Sequence, residues 1–216
     1  RQEVPEGLIN TDLSLQWFKE NFTSILPHVK KITFCGDDGD PIYAREFLEV
    51  CEWIKEENNN CQIVIITNGS GKKTEWWQRF SRILNDRDHI HFSIDGTHDS
   101  NTKYRVNADW ESIMAGIETI NQEQCKIFKT WAAIAFKFNI NKLDFMRWMA
   151  NDKKFDYFQL THSSKFGSNY EAYPKDDPLE PDSEYVSQGR FTRSIENLSG
   201  RQYQDNCKHI FTGRYN

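Results

Sequence analysis

The chain alternates short apolar runs with longer stretches in which apolar residues recur every three or four positions. The runs predict strands, and the longer stretches predict amphipathic helices packed on them. Within residues 13–28, Leu15, Phe18, Phe22, Ile25 and Leu26 keep helical spacing, with Thr11 or Asp12 as N-cap. A strand beginning at Lys31 stops abruptly in the turn CGDDGDP, residues 35–41. Residues 44–57 then carry Phe47, Leu48, Cys51 and Ile54 on one side and mostly charged residues on the other, an amphipathic helix ended by three asparagines. Residues 63–67 are apolar on consecutive positions, as a strand covered on both faces requires.

The alternation continues. Residues 74–84 predict a helix with Trp77, Phe80 and Leu84 inward, and residues 90–94 a strand that opens into a polar loop, residues 95–107. Asp109 is the expected N-cap of a helix with Trp110, Ile113, Ile117 and Ile120 on one stripe. Strand 129–138, helix 141–151 and strand 157–161 follow. Strand and helix alternating in this way mean right-handed crossovers and a parallel α/β sheet. Periodicity alone leaves open whether that sheet stays flat or curls into a partial barrel. Beyond Phe166 the character changes: Pro174, Pro178 and Pro181 stand among acidic residues with no apolar period, and residues 191–216 are basic and polar. The division expected is a barrel-like domain over residues 1–166 and a linker with a C-terminal extension over 167–216, a tail or the start of a second module.

Composition narrows the partners. The 216 residues are 38% hydrophobic and 14% aromatic, enough to bury a core. A formal charge of −5, with no long basic run, gives nucleic acid or an anionic membrane no electrostatic footprint. No stretch approaches the roughly 20 apolar residues of a spanning helix, and a soluble, cytoplasmic protein is expected. The five cysteines (Cys35, Cys51, Cys61, Cys125, Cys207) are widely spaced and show no CxxC or Cys/His metal spacing.

Three runs end in glycine beside small polar residues: CGDDGDP, TNG at residues 67–69, and SIDG at 93–96. Such turns at the C-terminal ends of parallel strands form one binding face. In the first, Asp37, Asp38 and Asp40 suit a divalent cation or a cationic group such as an amine, while Gly36 and Gly39 permit close backbone approach; a solvated acidic turn is the plain alternative. With no GK[ST], it is not a P-loop. Thr67, Asn68, Ser93 and Asp95 would point hydroxyl, amide and carboxylate groups into the same crevice, and Asp95 would suit a sugar diol.

In this order and spacing the three motifs resemble the radical S-adenosylmethionine (radical SAM) superfamily, whose members have a partial (β/α)6 TIM-like barrel with parallel strands. The form GDDGDP…TNGS…EWW…FSIDG…N…YR is most similar to phage-associated members. The resemblance covers roughly residues 8–166. It implies that Gly36, Gly39 and Asp40, with Pro41, hold the amine of the SAM methionyl group, and that Thr67, Asn68, Ser93 and Asp95 line the remainder of the cofactor site. It also implies a [4Fe–4S] cluster that cleaves SAM reductively to a 5′-deoxyadenosyl radical, with a peptide or protein as one substrate class. Arg105 then matches an arginine that meets a substrate carboxylate, and Cys207 the first cysteine of an auxiliary cluster module. His162 and Lys165, after the fifth strand, should face the same mouth.

The family's CxxxCxxC cluster loop and its first strand have no counterpart here. The chain begins RQEVPEGLIN without a methionine, and the expectation is a fragment whose cluster ligands lie upstream of Arg1. No catalytic acid, base or nucleophile is assigned, and no metal ligand within the chain. Two other functions remain in view: a cluster-less barrel that binds SAM or a nucleoside or serves as a scaffold, and an unrelated metal-dependent enzyme using Asp37, Asp38 and Asp40.

Overall fold

Among the described residues, six strands form one sheet in the order β1-β2-β3-β4-β5-β6. They are β1 (Lys31–Phe34), β2 (Gln62–Thr67), β3 (His89–Ser93), β4 (Phe128–Ala135), β5 (Tyr157–His162) and β6 (Arg193–Asn197). The computed structural model describes residues 12–36, 39–162, 179–180 and 193–203. The first five strands pair in parallel, each with its successor in the chain. Between them run α2 (Phe47–Glu57), α3 (Thr74–Ile83), α4 (Trp110–Gln122) and α5 (Leu143–Asp152), and α1 (Leu15–Phe22) precedes β1. Because the strand order never reverses, right-handed crossovers place these connecting helices on a single face. The architecture is the expected α/β one, with a sheet that does not close: β1 and β6 are its edges.

Two features depart from the sequence pattern. The sheet is not wholly parallel, since residues 193–197, from the basic and polar C-terminal stretch, form β6 and pair antiparallel with β5. All five of its residues are exposed, so there is no alternation to read. The first helix is also shorter than its periodicity predicts. Ser14, not Thr11 or Asp12, caps it by accepting the Trp17 N–H at 3.1 Å, while Asp12 accepts the Arg45 N–H at 3.1 Å. A separate 3-10 turn, Leu26–His28, buries Leu26 and so continues the apolar pattern without continuing the helix.

The core lies between the sheet and its helices. Ile63 and Ile65 of β2, Ile90 and Phe92 of β3 and Trp131 of β4 are fully buried there with Trp77 and Phe80 of α3. Burying each such side chain contributes about 1.5–3 kcal/mol. Aromatic rings run through this layer: Trp77 meets Phe92 in a tilted pair at 5.8 Å, and edge contacts follow from Phe92 to Phe155 at 5.8 Å and from Phe155 to Trp131 at 5.5 Å. Gly116 sets the approach of α4 to α3, since a Cβ there would stand 2.4 Å from the Trp77 indole nitrogen. No described helix is long and apolar enough to cross a membrane.

The other face of the sheet is polar. Alternation along β3 puts His89, His91 and Ser93 on the side opposite Ile90 and Phe92. His89 stacks on His91 at 4.1 Å and lies 2.7 Å through Nε2 from Thr130 Oγ1. Burial and the adjacent imidazole push His89 down to about 2, and burial with the charge of Arg193 pushes His91 down to about 4.

Both imidazoles are therefore neutral in the folded protein at pH values where the unfolded chain protonates its histidines, with a midpoint near pH ~6.5. The unfolded state binds more protons below that midpoint, so stability falls as pH drops from about 6.5 toward 4. Two protons give a limiting slope of about 2.7 kcal/mol per pH unit. Urea denaturation over this window should show that loss, and His89→Gln should show about half the slope. A slope unchanged by the substitution would mean that His89 is not held neutral by the fold.

Candidate functional site

The three glycine-bearing turns lie side by side at the C-terminal ends of β1, β2 and β3. In the first, a Cβ on Gly36 would stand 2.5 Å from the Gly39 carbonyl oxygen, so the turn folds back on itself and requires glycine there. A Cβ on Gly39 would meet nothing within 4 Å among the described residues. Asp40 caps the 3-10 turn Pro41–Tyr43 by accepting the Ile42 N–H at 3.3 Å through Oδ1. Its Oδ2 accepts the Asn68 N–H at 2.6 Å, and the Thr67 side chain bonds to it as well. The β1 turn is thereby fastened to the β2 turn.

In the second turn, buried Thr67 accepts the Gly69 N–H at 2.9 Å and Asn68 accepts the Ser70 N–H at 2.8 Å, side chains closing local turns. Gly69 has φ of 74°, and a Cβ there would lie 2.6 Å from the Phe92 ring. The Asn68 Nδ2 takes no partner among the described residues.

The third turn is organised by Asp95, whose side chain is wholly buried. Its Oδ1 accepts the Ile134 N–H at 2.6 Å and its Oδ2 accepts Arg105 Nε at 2.5 Å. Asn101 Oδ1 accepts the Asp95 N–H at 2.9 Å, and Asn139 Nδ2 donates to the Asp95 carbonyl at 2.7 Å. Both carboxylate oxygens are thus engaged within the protein, where the sequence had reserved them for a sugar. Arg105, expected to meet a substrate carboxylate, is anchored through Nε and stacks on Tyr104 at 4.8 Å. Its two terminal nitrogens have no partner among the described residues. The Ser93 hydroxyl, half-buried at the end of β3, has none either.

Electrostatics single out Asp40. Three other aspartates hold a neighbouring strand in the same way, and each has a cation in contact. Asp88 accepts the Ile63 N–H at 2.7 Å and pairs with Lys55 at 2.6 Å. Asp95 pairs with Arg105 at 2.5 Å. Asp156 accepts the Lys129 N–H at 2.9 Å and pairs with Arg201 at 3.1 Å. Asp40 has no cation within ion-pair distance among the described residues; Arg105 and Lys72 act on it only from farther away. Desolvation raises its carboxyl above the ordinary carboxylate range, with the Asn68 N–H opposing. A half-buried carboxylate with two backbone donors and no counter-charge is suited to receive an ammonium group.

Three residues near this mouth carried no signal in the sequence. Lys72 lies over the rings of Tyr43 and Trp76, at 5.7 and 5.4 Å, and partial burial lowers its pKa while Asp40 opposes that. Asn139 ties the ends of β3 and β4, and His91 faces the helix-free side; neither sits in a recognisable motif. His162 ends β5, half-buried. Asp37, Asp38, Lys165 and Cys207 lie outside the described residues. Among the described residues no three His, Cys, Asp or Glu side chains gather as metal ligands.

No family model matches the chain, and no curated protein matches it in sequence. Solved structures do match in fold. Coproporphyrinogen III oxidase (HemN) from Escherichia coli, described as a radical SAM enzyme, is similar over 73% of this chain and 37% of its own, at 14% identity and a TM-score of 0.52. The radical S-adenosylmethionine methyltransferase TsrM from Kitasatospora setae, solved with cobalamin and a [4Fe-4S] cluster, is similar over 68% of this chain and 29% of its own, at 9% identity and a TM-score of 0.50. The chain spans well under half the length of these proteins. What the similarity establishes is the fold: an open, TIM-barrel-like α/β sheet.

Removing one partner of the buried Asp95–Arg105 pair leaves the other charged and unmatched, which costs about 3–5 kcal/mol. Asp95→Ala and Arg105→Ala should each lower unfolding free energy by nearly that amount. The double variant should fall well short of their sum, because the second removal relieves the charge stranded by the first. Strictly additive losses would show that the pair does not organise this turn.

Proposed function

We propose that the mouth formed by the β1, β2 and β3 turns binds the methionyl end of S-adenosylmethionine, and that the chain is the corresponding part of a radical SAM domain. The observation that carries this reading is Asp40, the strand-end aspartate without a cation in contact. The SAM ammonium supplies the missing charge. The ordered elements Gly39-Asp40-Pro41, Thr67-Asn68 and Ser93-Ile94-Asp95 support it by standing on adjacent strand ends, and the fold likeness to HemN is consistent with it.

Each residue then has a task set by its bonding. Gly36 closes the first turn and Gly39 leaves its backbone accessible. Asp40 receives the ammonium, held in place by Asn68 N–H and Thr67. The unpartnered Asn68 amide and Ser93 hydroxyl offer hydrogen bonds to the ligand's carboxylate or ribose. Asp95, with both oxygens engaged, acts by fixing the β3 turn and Arg105. Arg105 keeps two nitrogens for a carboxylate, and a peptide is a substrate class that would supply one.

The described residues do not fit a [4Fe–4S] cluster, which needs three thiolates gathered in one loop. Cys35, Cys51, Cys61 and Cys125 are dispersed over the β1 turn, α2, the start of β2 and the segment before β4. The proposal for this chain is accordingly the binding and orientation of SAM.

Calorimetric titration with SAM tests it. A charge-assisted hydrogen bond is worth about 1.5–3 kcal/mol, so Asp40→Asn should weaken binding roughly 10- to 100-fold. Asp144→Asn, on the exposed side of α5, should change it by less than about twofold. A parent chain that does not bind SAM, or an Asp40→Asn variant that binds equally well, would end this reading. Reconstituted with iron and sulfide and reduced by dithionite, the 216-residue chain should release no 5′-deoxyadenosine; catalytic amounts would contradict the cysteine assignment.

A further inference from the structure

On the flank of the third turn lies a cavity of about 450 Å³ that opens to solvent. It is bounded by the loop after β3, the first residue of α4 and the start of α5. Asn139 fixes the first of these to the last: its Nδ2 donates to the Asp95 carbonyl at 2.7 Å, and its own carbonyl accepts the Lys142 N–H at 2.9 Å. The volume falls in the range of roughly 300–1,000 Å³ that small-molecule sites occupy. None of the lining residues belongs to the Asp40 mouth.

Trp110, Phe145 and Met149 form its apolar lining. Phe145 is 52% exposed, and its ring is stacked at 5.6 Å on Trp148, a residue outside the lining that sets its plane. Trp110 meets His98 edge-on at 6.3 Å, and its indole N–H has no partner among the described residues. The Asn141 carboxamide, also in the lining, has none either. The charged groups, by contrast, are spent on one another. Lys142 Nζ lies 2.7 Å from Asp99 Oδ2 and 3.3 Å from Thr97 Oγ1, Thr97 donates to Asp99 Oδ1 at 2.5 Å, and His98 faces Glu111 at 3.5 Å. Aromatic faces and a thioether suit a flat ring, and matched charges leave nothing to hold an ionic ligand. A carboxamide presents a donor and an acceptor side by side, which a ring lactam, with its C=O beside its N–H, matches bond for bond.

We propose that this cavity binds an uncharged lactam ring of the nucleobase type, as in uridine or guanosine, with the ring against Trp110 and Phe145 and its lactam edge on Asn141. Stacking on aromatic side chains supplies most of the affinity, since every base has a π-face, and the carboxamide selects the edge. A phosphate on the sugar gains nothing here. Lys142, the cation on the lining, is already held by Asp99, and the carboxylates of Asp99 and Glu111 stand close by. The site is therefore one for a base or nucleoside and not for a nucleotide. It does not involve Asp40 and does not rest on the SAM reading.

Nuclear magnetic resonance of the tryptophan indole N–H signals tests this on the whole chain, with the Trp110 signal identified by its loss in Trp110→Phe. Uridine and guanosine are the two probes. One of them, in the low millimolar range, should move the Trp110 signal saturably, and its monophosphate should bind no more tightly. Asn141→Ala and Phe145→Ala, both at exposed positions, should each weaken binding about tenfold. Methylating the probe's lactam nitrogen, which keeps the ring but removes the N–H, should weaken binding to the parent by as much as Asn141→Ala does. Asp40→Asn should leave the titration unchanged. Two silent probes, a monophosphate that binds more tightly, an Asn141→Ala variant that binds as the parent does, or a titration lost in Asp40→Asn would each overturn the proposal. A chain that binds the nucleoside but not SAM would lose only the methionyl reading.

Discussion

Backbone donors at the ends of parallel strands have no ladder partner, and in this protein aspartates supply one. Asp88 and Asp156 do so at the N-terminal edge of the sheet, Asp40 and Asp95 at the C-terminal edge, each accepting an N–H from a neighbouring strand. A buried N–H left unpaired costs about 1–3 kcal/mol, and a carboxylate has a second oxygen with which to fix another group. The arrangement brings a negative charge into a desolvated place, and that charge needs its own compensation. Lys55, Arg105 and Arg201 provide it at three of the four positions. At the fourth, Asp40, no cation stands within ion-pair distance among the described residues.

This logic explains why the site is where it is and why it is stiff. Asp95 alone joins the β3 end to β4, Arg105 and, through Asn101 and Asn139, the loops on either side. Asp40 joins β1 to β2 with the same economy. Asp40 and Asp95 thus each bond their own turn to a neighbouring strand end, and the donors and acceptors of those turns are oriented by these bonds. Arg105, anchored by Nε with two nitrogens to spare, lies near enough for its charge to be felt at Asp40. A mouth with an uncompensated carboxylate and a guanidinium at charge-sensing range is complementary to a zwitterion.

Much of this fold was legible because the helix-facing half of each strand is apolar and the helices carry clean stripes. The consecutive burial of Ile63, Val64 and Ile65 and the Asp109 cap, which accepts the Ser112 N–H at 3.2 Å, follow directly from pattern. The strand β6 was illegible for a physical reason: an exposed edge strand needs no alternation to be stable where its backbone pairs with β5. The turns were located by Gly beside Asp, Asn or Thr, but their bonding was not. That Asp95 would meet Ile134, or that Asn139 would bridge to Asp95, depends on which loops become neighbours across strands. A dipeptide such as Asp-Gly predicts a turn; it does not predict what the carboxylate holds.

The two faces of the sheet divide the labour of stability and chemistry. Stability comes from the helix side, where Trp77, Phe92, Trp131 and Phe155 form a packed aromatic layer with no room for polar substitution. The opposite face carries no described helix, so its residues are released from that constraint. The price is visible in His89 and His91, imidazoles that the fold must keep neutral and that weaken it as the solution becomes acidic. Replacing them with apolar side chains would remove that liability, since β3 already has its core contacts through Ile90 and Phe92. His89 nonetheless has aromatic contacts of its own, with Phe128, Tyr157 and Tyr203, so an imidazole that packs on this face is also one that acid can charge.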